Sequence, residues 1–517
     1  MKAPNSKDYR LDVQGLRGVA VIAVILYHSN EIVNGGFVGV DIFFVISGFV
    51  ISSLLMREYM LSGAIDFMNF YKKRYKRLAP ALIFIIVFTL SFGFVFLTNI
   101  EKFIVAKTAM ANLVVSSNIY IAITTSDYFD NPAENNPLLH TWSLSVEEQF
   151  YLVFPLLIYV VWRLLRKFQL RMKYSAILVA FLSVLSFLSM LLSNNINFYG
   201  DSYILGFYSP VVRFWEFGAG AIIGILSLKR IYFSQLIGIL GFVLILCSIF
   251  FIDKGMIYPS WITIFPVLGA TFVILSGVSR AGSVYSFLSN RFILFLGAIS
   301  YSLYLWHWPI IVFTKNVFPD RNDALYFSVI LSLVPAYLSY RFIENPIRNS
   351  CSINRKKLLF MITFFSLIVL SISTLLIQFA NEEKQNSVKT RVMLYSGEIG
   401  HDQFHIRLDR SFYPCLPIEL RKQAPRWKQY VQCKQSKSGV IADIALLGDS
   451  HSEHLFPGLA TLIPSKNIVY YDTFGVPISD TPAKKKIIDF VLSSKSIKTV
   501  ILNAYWKMMD EPLSLQN

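Results

Sequence analysis

The chain has 517 residues, of which 54% are hydrophobic and only 15% charged, with a net charge of +16 and a mean hydropathy of +0.52. Apolar content this high argues against an ordinary soluble domain and puts membrane spans first. The basic excess has two readings, nucleic-acid binding or the loops of a membrane protein, and the positions of Lys and Arg decide between them.

Apolar runs of about 17–23 residues, long enough to cross a bilayer as helices, lie near 13–29, 37–56, 78–98, 146–166, 175–193, 211–227, 232–252, 261–277, 292–313, 325–343 and 357–379. The first is read as a retained span and not as a signal peptide. It carries Asp12, Gln14 and Arg17, and no small-residue cleavage site precedes the second span. Counted with the basic ends of the adjoining spans, the N-terminus and alternate loops hold 22 Lys and Arg, whereas the intervening loops hold five. The positive-inside rule then places the N-terminus in the cytoplasm and, after eleven crossings, the C-terminal part outside. The charge is mainly topological, and no nucleic-acid partner is expected.

In the first span, LDVQGLRGVAVIAVILYHSN, Arg17 and His28 are eleven residues apart. That spacing puts them on one helix face, about 16 Å apart along the axis at ~1.5 Å per residue. Ionisable groups inside a span usually face the bundle interior and serve function. The alternative is an interfacial anchor (Arg17) and a helix-end cap (His28). Gly15 and Gly18 would admit a close neighbour, helix or ligand. Asp41, near the outer end of the second span, either orients an imidazole or starts a helix at the interface. Before the third span, YKKRYKRLAPAL puts Arg74 and Arg77 on one face, suited to lipid headgroups or to the phosphates of a nucleotide-bearing donor. Pro80 suits a helix start. Glu147 and Glu148 enter the fourth span from outside and call for an Arg or His partner on another span. His307 near the outer end of the ninth span is flanked by Trp306 and Trp308; an interfacial aromatic belt accounts for the tryptophans, and His307 is read as structural.

The fold class is therefore a polytopic α-helical membrane bundle, ten helices in 1–348 and an eleventh linking helix in 349–380. A linker (381–411) and a small α/β domain (412–517) follow. In that domain 441–448, 467–471 and 497–502 read as strands and 453–463 and 483–494 as helices, a βαβαβ pattern that predicts a three-stranded parallel sheet. Its last strand would be an open edge. Cys415 and Cys433 lie in the external part, where a disulfide persists, and are expected to pair.

Six motifs carry a family resemblance: RLDVQGLRGVAVIAVILYH, GGFVGVDIFFVISGF, FYKKRYKRLAPA, HTWSLSVEEQFY, SYSLYLWHWP and RFIENPIR. In this order, over about residues 8–348, they resemble the membrane acyltransferase-3 family. The resemblance implies a ten-helix enzyme of the bacterial inner membrane that moves acetyl from cytoplasmic acetyl-CoA to extracytoplasmic glycans. Arg17 and His28 match the paired Arg and His of its first helix, with His28 as general base or transient acyl carrier and Arg17 orienting the thioester. Arg74 and Arg77 match its Arg-x-x-Arg motif and would bind acetyl-CoA. Glu147 or Glu148 falls in its WSLSVEEQFY block. The expected acceptor is a surface polysaccharide or lipid-linked glycan, lipopolysaccharide O-antigen first, then peptidoglycan and exported oligosaccharides. No metal is expected.

Further on, IALLGDSHSEH places Ser450 between a strand and a helix, where α/β sheets carry their sites. GDSH resembles the first block of the SGNH hydrolases over about 436–510; Gly475 and Asn503 match the second and third blocks more weakly. The family's D-x-x-H block has no counterpart, because no His follows His454. Ser450 is thus expected to be a nucleophile without an evident base, since His451 points elsewhere and His454 sits a turn on, and the domain is expected to be shortened. Two other classes compete: a transporter or glycan exporter, though no inverted repeat is visible, and an inactive scaffold.

Overall fold

The computed structural model describes residues 9–29, 33–124, 135–195, 206–253, 256–318, 322–350, 355–389, 408, 411–415, 433–439, 441–472 and 482–503. The chain divides into two compact units, Met1–Arg391 and Val392–Asn517.

The first unit is helical. Its helices are α1 (Leu11–His28), α2 (Gly39–Ser62), α3 (Phe67–Phe96), α4 (Asn99–Leu113), α5 (Ser117–Thr124), α6 (Thr141–Lys167), α7 (Ser175–Asn195) and α8 (Pro210–Leu226). They continue with α9 (Ser234–Phe251), α10 (Ile264–Ser276), α11 (Ser283–Leu288), α12 (Arg291–Val317), α13 (Asn322–Ser339), α14 (Asn345–Asn349) and α15 (Arg355–Lys389). A π-helical turn, Tyr340–Glu344, joins α13 to α14. Among the described residues ten helical segments are long and apolar enough to cross a membrane. The remaining predicted span is α8, a 17-residue helix. Dozens of large apolar side chains on these helices are exposed, as expected for surfaces that meet lipid and not water. The protein is a multi-pass membrane protein.

Local sequence sets the ends that matter. Arg10 clamps the start of α1 by bonding Asp12 at 2.6 Å and the Ile274 carbonyl of α10 at 2.5 Å, and Asp12 complements the positive helix terminus. Asp66 caps α3 by accepting from the Asn69 N–H at 3.0 Å. Helix α3 therefore starts well before the apolar run, and Pro80 lies inside it, not at its start. The basic stretch 67–79 is helical because it has its own cap, and the proline leaves only the Lys76 carbonyl without its usual donor. The capping box Thr98/Glu101 starts α4. Helix α15 packs against α3 and α4.

The close approach of α1 and α12 positions the site. A Cβ on Gly18 would lie 2.7 Å from the Ile293 carbonyl, and one on Gly297 would lie 1.9 Å from that of Gln14. Only glycine lets the two backbones meet this way. The neighbour admitted by Gly15 and Gly18 is thus a helix.

The second unit holds β1 (Tyr413–Pro414), β2 (Cys433–Gln435), β3 (Ile444–Gly448), α16 (Ser450–Leu462), β4 (Ile468–Asp472), α17 (Pro482–Ser493) and β5 (Thr499–Asn503). The sheet order is β1-β2-β4-β3-β5. The three predicted strands pair in parallel with β3 central, and Ala445, Leu446 and Leu447 are buried on both faces. The sheet has five strands and not three, because β2 adds antiparallel to β4 and β1 to β2. These additions are two and three residues long, too short for a periodic pattern. The expected Cys415–Cys433 disulfide is present and ties β1 to β2. Among the described residues β5 ends the sheet on the other side, with Leu502 48% exposed.

Candidate active site

The predicted residues of the membrane unit fall at two levels. At the first level α1 ends on His28, whose Nδ1 lies 3.1 Å from Nε2 of His307 on α12. The rings stack with centroids 5.3 Å apart, and the Trp308 ring meets His28 edge-on at 4.6 Å. Trp308 is held in turn by donating Nε1–H to the Asn136 carbonyl at 2.8 Å. His307 is wholly buried (0% exposed) and His28 half-buried. His307 is thus no member of an interfacial belt: the approach of α1 to α12 brings its imidazole onto that of His28, 279 positions away in sequence. The His140 ring stands edge-on to His307 at 5.6 Å. His140 is 3% exposed.

The second level holds the arginines. Arg17 acts electrostatically with Arg77, Glu344, Glu147 and Tyr151. The Arg74 guanidinium lies over the Tyr151 ring at 4.3 Å and acts on Arg77, Glu147 and Arg348. Ser47 and Tyr151 hydroxyls both reach Oε1 of Glu147. Glu344, in the π-helical turn, accepts from Ser302 at 2.8 Å. Among the described residues the Nε of Arg77 is buried without a hydrogen-bond partner. Arg17, Arg74, Arg77, Glu147 and Glu148 are all half-buried.

Glu147 and Glu148 do not mark the entrance to their span. Helix α6 begins at Thr141, so both lie in its second turn, within reach of the arginine charges. The buried Ser117–Ser145 contact at 2.7 Å helps hold the preceding turn inside the protein, which an apolarity scan misses. Three elements separate the two levels, by different lengths. From Arg17 to His28 on α1 is about 16 Å, from His140 to Glu147 on α6 about 10 Å, and from Ser302 to His307 on α12 about 8 Å, at ~1.5 Å per residue.

Asp41 does not orient His28. Its carboxylate accepts from Arg213 Nη1 at 2.8 Å and from the Tyr258 hydroxyl at 2.6 Å. Arg213 also bonds Glu216 at 2.9 Å, and all three charged side chains are buried. Asp41 sits in the first turn of α2 and finds its counter-charge on α8, so it ties α2, α8 and the segment before α10 together. His140, Glu344, Arg348 and Arg213 were not singled out from sequence. Their signal was present: each is an ionisable residue in or beside an apolar run.

In the second unit Ser450 opens α16 directly after β3, as the motif predicts, with Asp449 as N-cap. Asp449 lies 3.3 Å from Nδ1 of His451, a half-exposed ring, and His454 is exposed. Asn503 ends β5 opposite Gly448, and its carbonyl accepts from Ser452. Gly475 lies outside the described residues.

The family model described as an acyltransferase domain matches residues 10–344. The chain belongs to the acyltransferase-3 family. A second model, the SGNH domain fused to such domains, matches residues 419–516. The chain is 37% identical over 361 residues to O-acetyltransferase OatA of Staphylococcus aureus strain NCTC 8325 / PS 47 and, equally, to that of strain COL. The match covers 66% of this chain and 58% of each relative. The chain thus spans less than two thirds of the length of these relatives. No solved structure matches it. Within the family match lie both levels of the site, with Glu344 at its last residue and Arg348 just beyond.

Proposed function

We propose that the membrane unit transfers acetyl from cytoplasmic acetyl-CoA to a hydroxyl of an extracytoplasmic surface glycan, in the bacterial inner membrane with the N-terminus inside. Lipopolysaccharide O-antigen is the first candidate acceptor and peptidoglycan the second. The observation that carries this reading is the two-level site: a guanidinium cluster separated along three helices from a histidine cluster. Family membership and the similarity to proteins named O-acetyltransferases support it.

Acetyl-CoA would supply an acyl thioester on a long arm between phosphates and sulfur, a shape suited to two separated levels. Arg74 and Arg77 would bind the phosphates, and the unpartnered Arg77 Nε is a donor ready for an anionic oxygen. Arg17 would orient the thioester arm above them and balance charge that develops on it. His28 would take the proton from the acceptor hydroxyl as its oxygen bonds the acyl carbon and the C–S bond breaks. The imidazolium would then return that proton to the leaving sulfur. The acidic side chains Glu147, Glu148 and Glu344 act electrostatically on the arginines and would offset their charge in an apolar interior, where an uncompensated charge is costly.

The test is NMR of surface glycan from cells lacking the gene and complemented with the wild type or His28→Ala, with protein levels matched by immunoblot. Acetyl signals should return with the wild type and stay absent with the variant. Wild-type acetylation by His28→Ala removes His28 from the mechanism, and no acetylation defect in the deletion removes the activity.

A further inference from the structure

The hydrogen-bond order in the histidine cluster fixes where protons sit. The Tyr304 carbonyl, 2.6 Å from His307 Nδ1, only accepts, so that nitrogen carries a hydrogen. A neutral His307 then presents a bare Nε2. It is the neutral form that fits: His307 is fully buried, and its ring neighbours are His28, Tyr304 and His140, with no carboxylate among them to balance an imidazolium. A bare Nε2 at 3.1 Å from His28 Nδ1 requires a hydrogen on that Nδ1. The His28 Nε2 is left with its lone pair free.

We infer that His307 is a positioning residue that fixes the tautomer of His28, so that His28 Nε2 is the atom that takes the acceptor's proton or receives the acyl group. The order is Tyr304 carbonyl, His307, His28, substrate, with no carboxylate among the described residues taking part. A backbone carbonyl plus a second imidazole does what a carboxylate does for many catalytic histidines. The Tyr304 carbonyl is a dependable anchor because its own side chain is fixed: the hydroxyl donates to the His140 carbonyl at 3.0 Å and lies 2.7 Å from Ser143 Oγ. The inference rests on the proposed role of His28 and adds the atom and its support.

Two measurements on the full-length protein in membranes test it. The first is [15N]histidine NMR, with His28 assigned by subtracting the spectrum of His28→Asn. His28 should show a protonated Nδ1 and an unprotonated Nε2, and a protonated Nε2 overturns the inference without any activity assay. The second is transfer of label from [14C]acetyl-CoA to deacetylated surface glycan by three His307 variants. Gln carries an acceptor oxygen near the place of Nε2, whereas Asn reaches only the place of Nδ1 and Ala neither. His307→Gln should keep transfer within about tenfold of wild type, while His307→Asn and His307→Ala lose about 100-fold or more in kcat with KM for acetyl-CoA unchanged. Equal loss in all three variants, or none in His307→Ala, overturns the inference. Full transfer by His28→Ala is a different failure and removes the underlying reading instead.

Discussion

The membrane unit and the sheet unit both carry a histidine near an expected catalytic position, and they treat it in opposite ways. In the membrane unit His28 is half-buried, stacked on a buried imidazole and framed by Trp308. In the sheet unit His451 is half-exposed and turns to its own neighbour Asp449. The first arrangement assembles groups from α1, α6 and α12; the second includes a local contact between residues two positions apart. Burial with fixed partners holds an imidazole in one orientation and tautomer, and an exposed ring held by a local contact gains neither. The proposed function therefore places the chemistry in the membrane unit.

The sharpest way to break that contrast is to remove one group from each unit. His28→Ala should lower glycan acetylation by about 10²–10⁴-fold, whereas Ser450→Ala should cost less than about tenfold. Equal losses in a labelled-acetyl assay would make the sheet unit a partner in the chemistry. Asp41→Asn comes next. It uncouples a buried pair, so it should destabilise the membrane unit by about 3–5 kcal/mol, read as a lower unfolding temperature in detergent. Activity per folded molecule should remain; its selective loss would return Asp41 to the mechanism. Cys415→Ser opens a loop with a sequence separation of 18 and should cost the sheet unit about 3 kcal/mol, seen as faster proteolysis of that unit with transfer by the membrane unit retained. Arg77→Ala should raise KM for acetyl-CoA about 10–100-fold, the loss of about 1.5–3 kcal/mol of charged hydrogen bonding, with kcat little changed.

The smallest effect is at Asp443. Its carboxylate accepts the Asn467 N–H at 2.9 Å with Lys466 at 3.6 Å, and that backbone hydrogen bond holds it below the usual aspartate range. A depressed value means that its contribution is present above the unfolded aspartate's range and is lost as the pH falls through the folded value. The protection factor of the Asn467 amide, which removes the intrinsic pH dependence of exchange, should therefore fall under acid in the wild type and stay constant with pH in Asp443→Asn.

Much of this was legible in sequence because a membrane leaves a coarse record. Each of the eleven apolar runs lies within or overlaps a helix, and Arg17, His28, Arg74 and Arg77 stood out as charges beside or within them. What stayed hidden depends on partners far along the chain. Nothing local to Asp41 says that its counter-ion is Arg213, 172 residues away. Nothing local to His307 distinguishes an interfacial aromatic segment from a buried contact with His28. The depth of Glu147 was misjudged because α6 starts on polar residues that protein, not water, surrounds. Helix α3 was misjudged at Pro80 because an Asp66 cap outweighs one missing N–H.

The central claim is that the arginine level receives the donor and the histidine level delivers its acyl group to an acceptor on the far side. Sealed vesicles carrying the protein test it most directly, with [14C]acetyl-CoA confined to the side of the N-terminus and acceptor glycan to the other. Label should reach the glycan with the wild type and fail to do so with His28→Ala. Label transferred by His28→Ala, or transferred only when donor and acceptor share one side, would contradict the account.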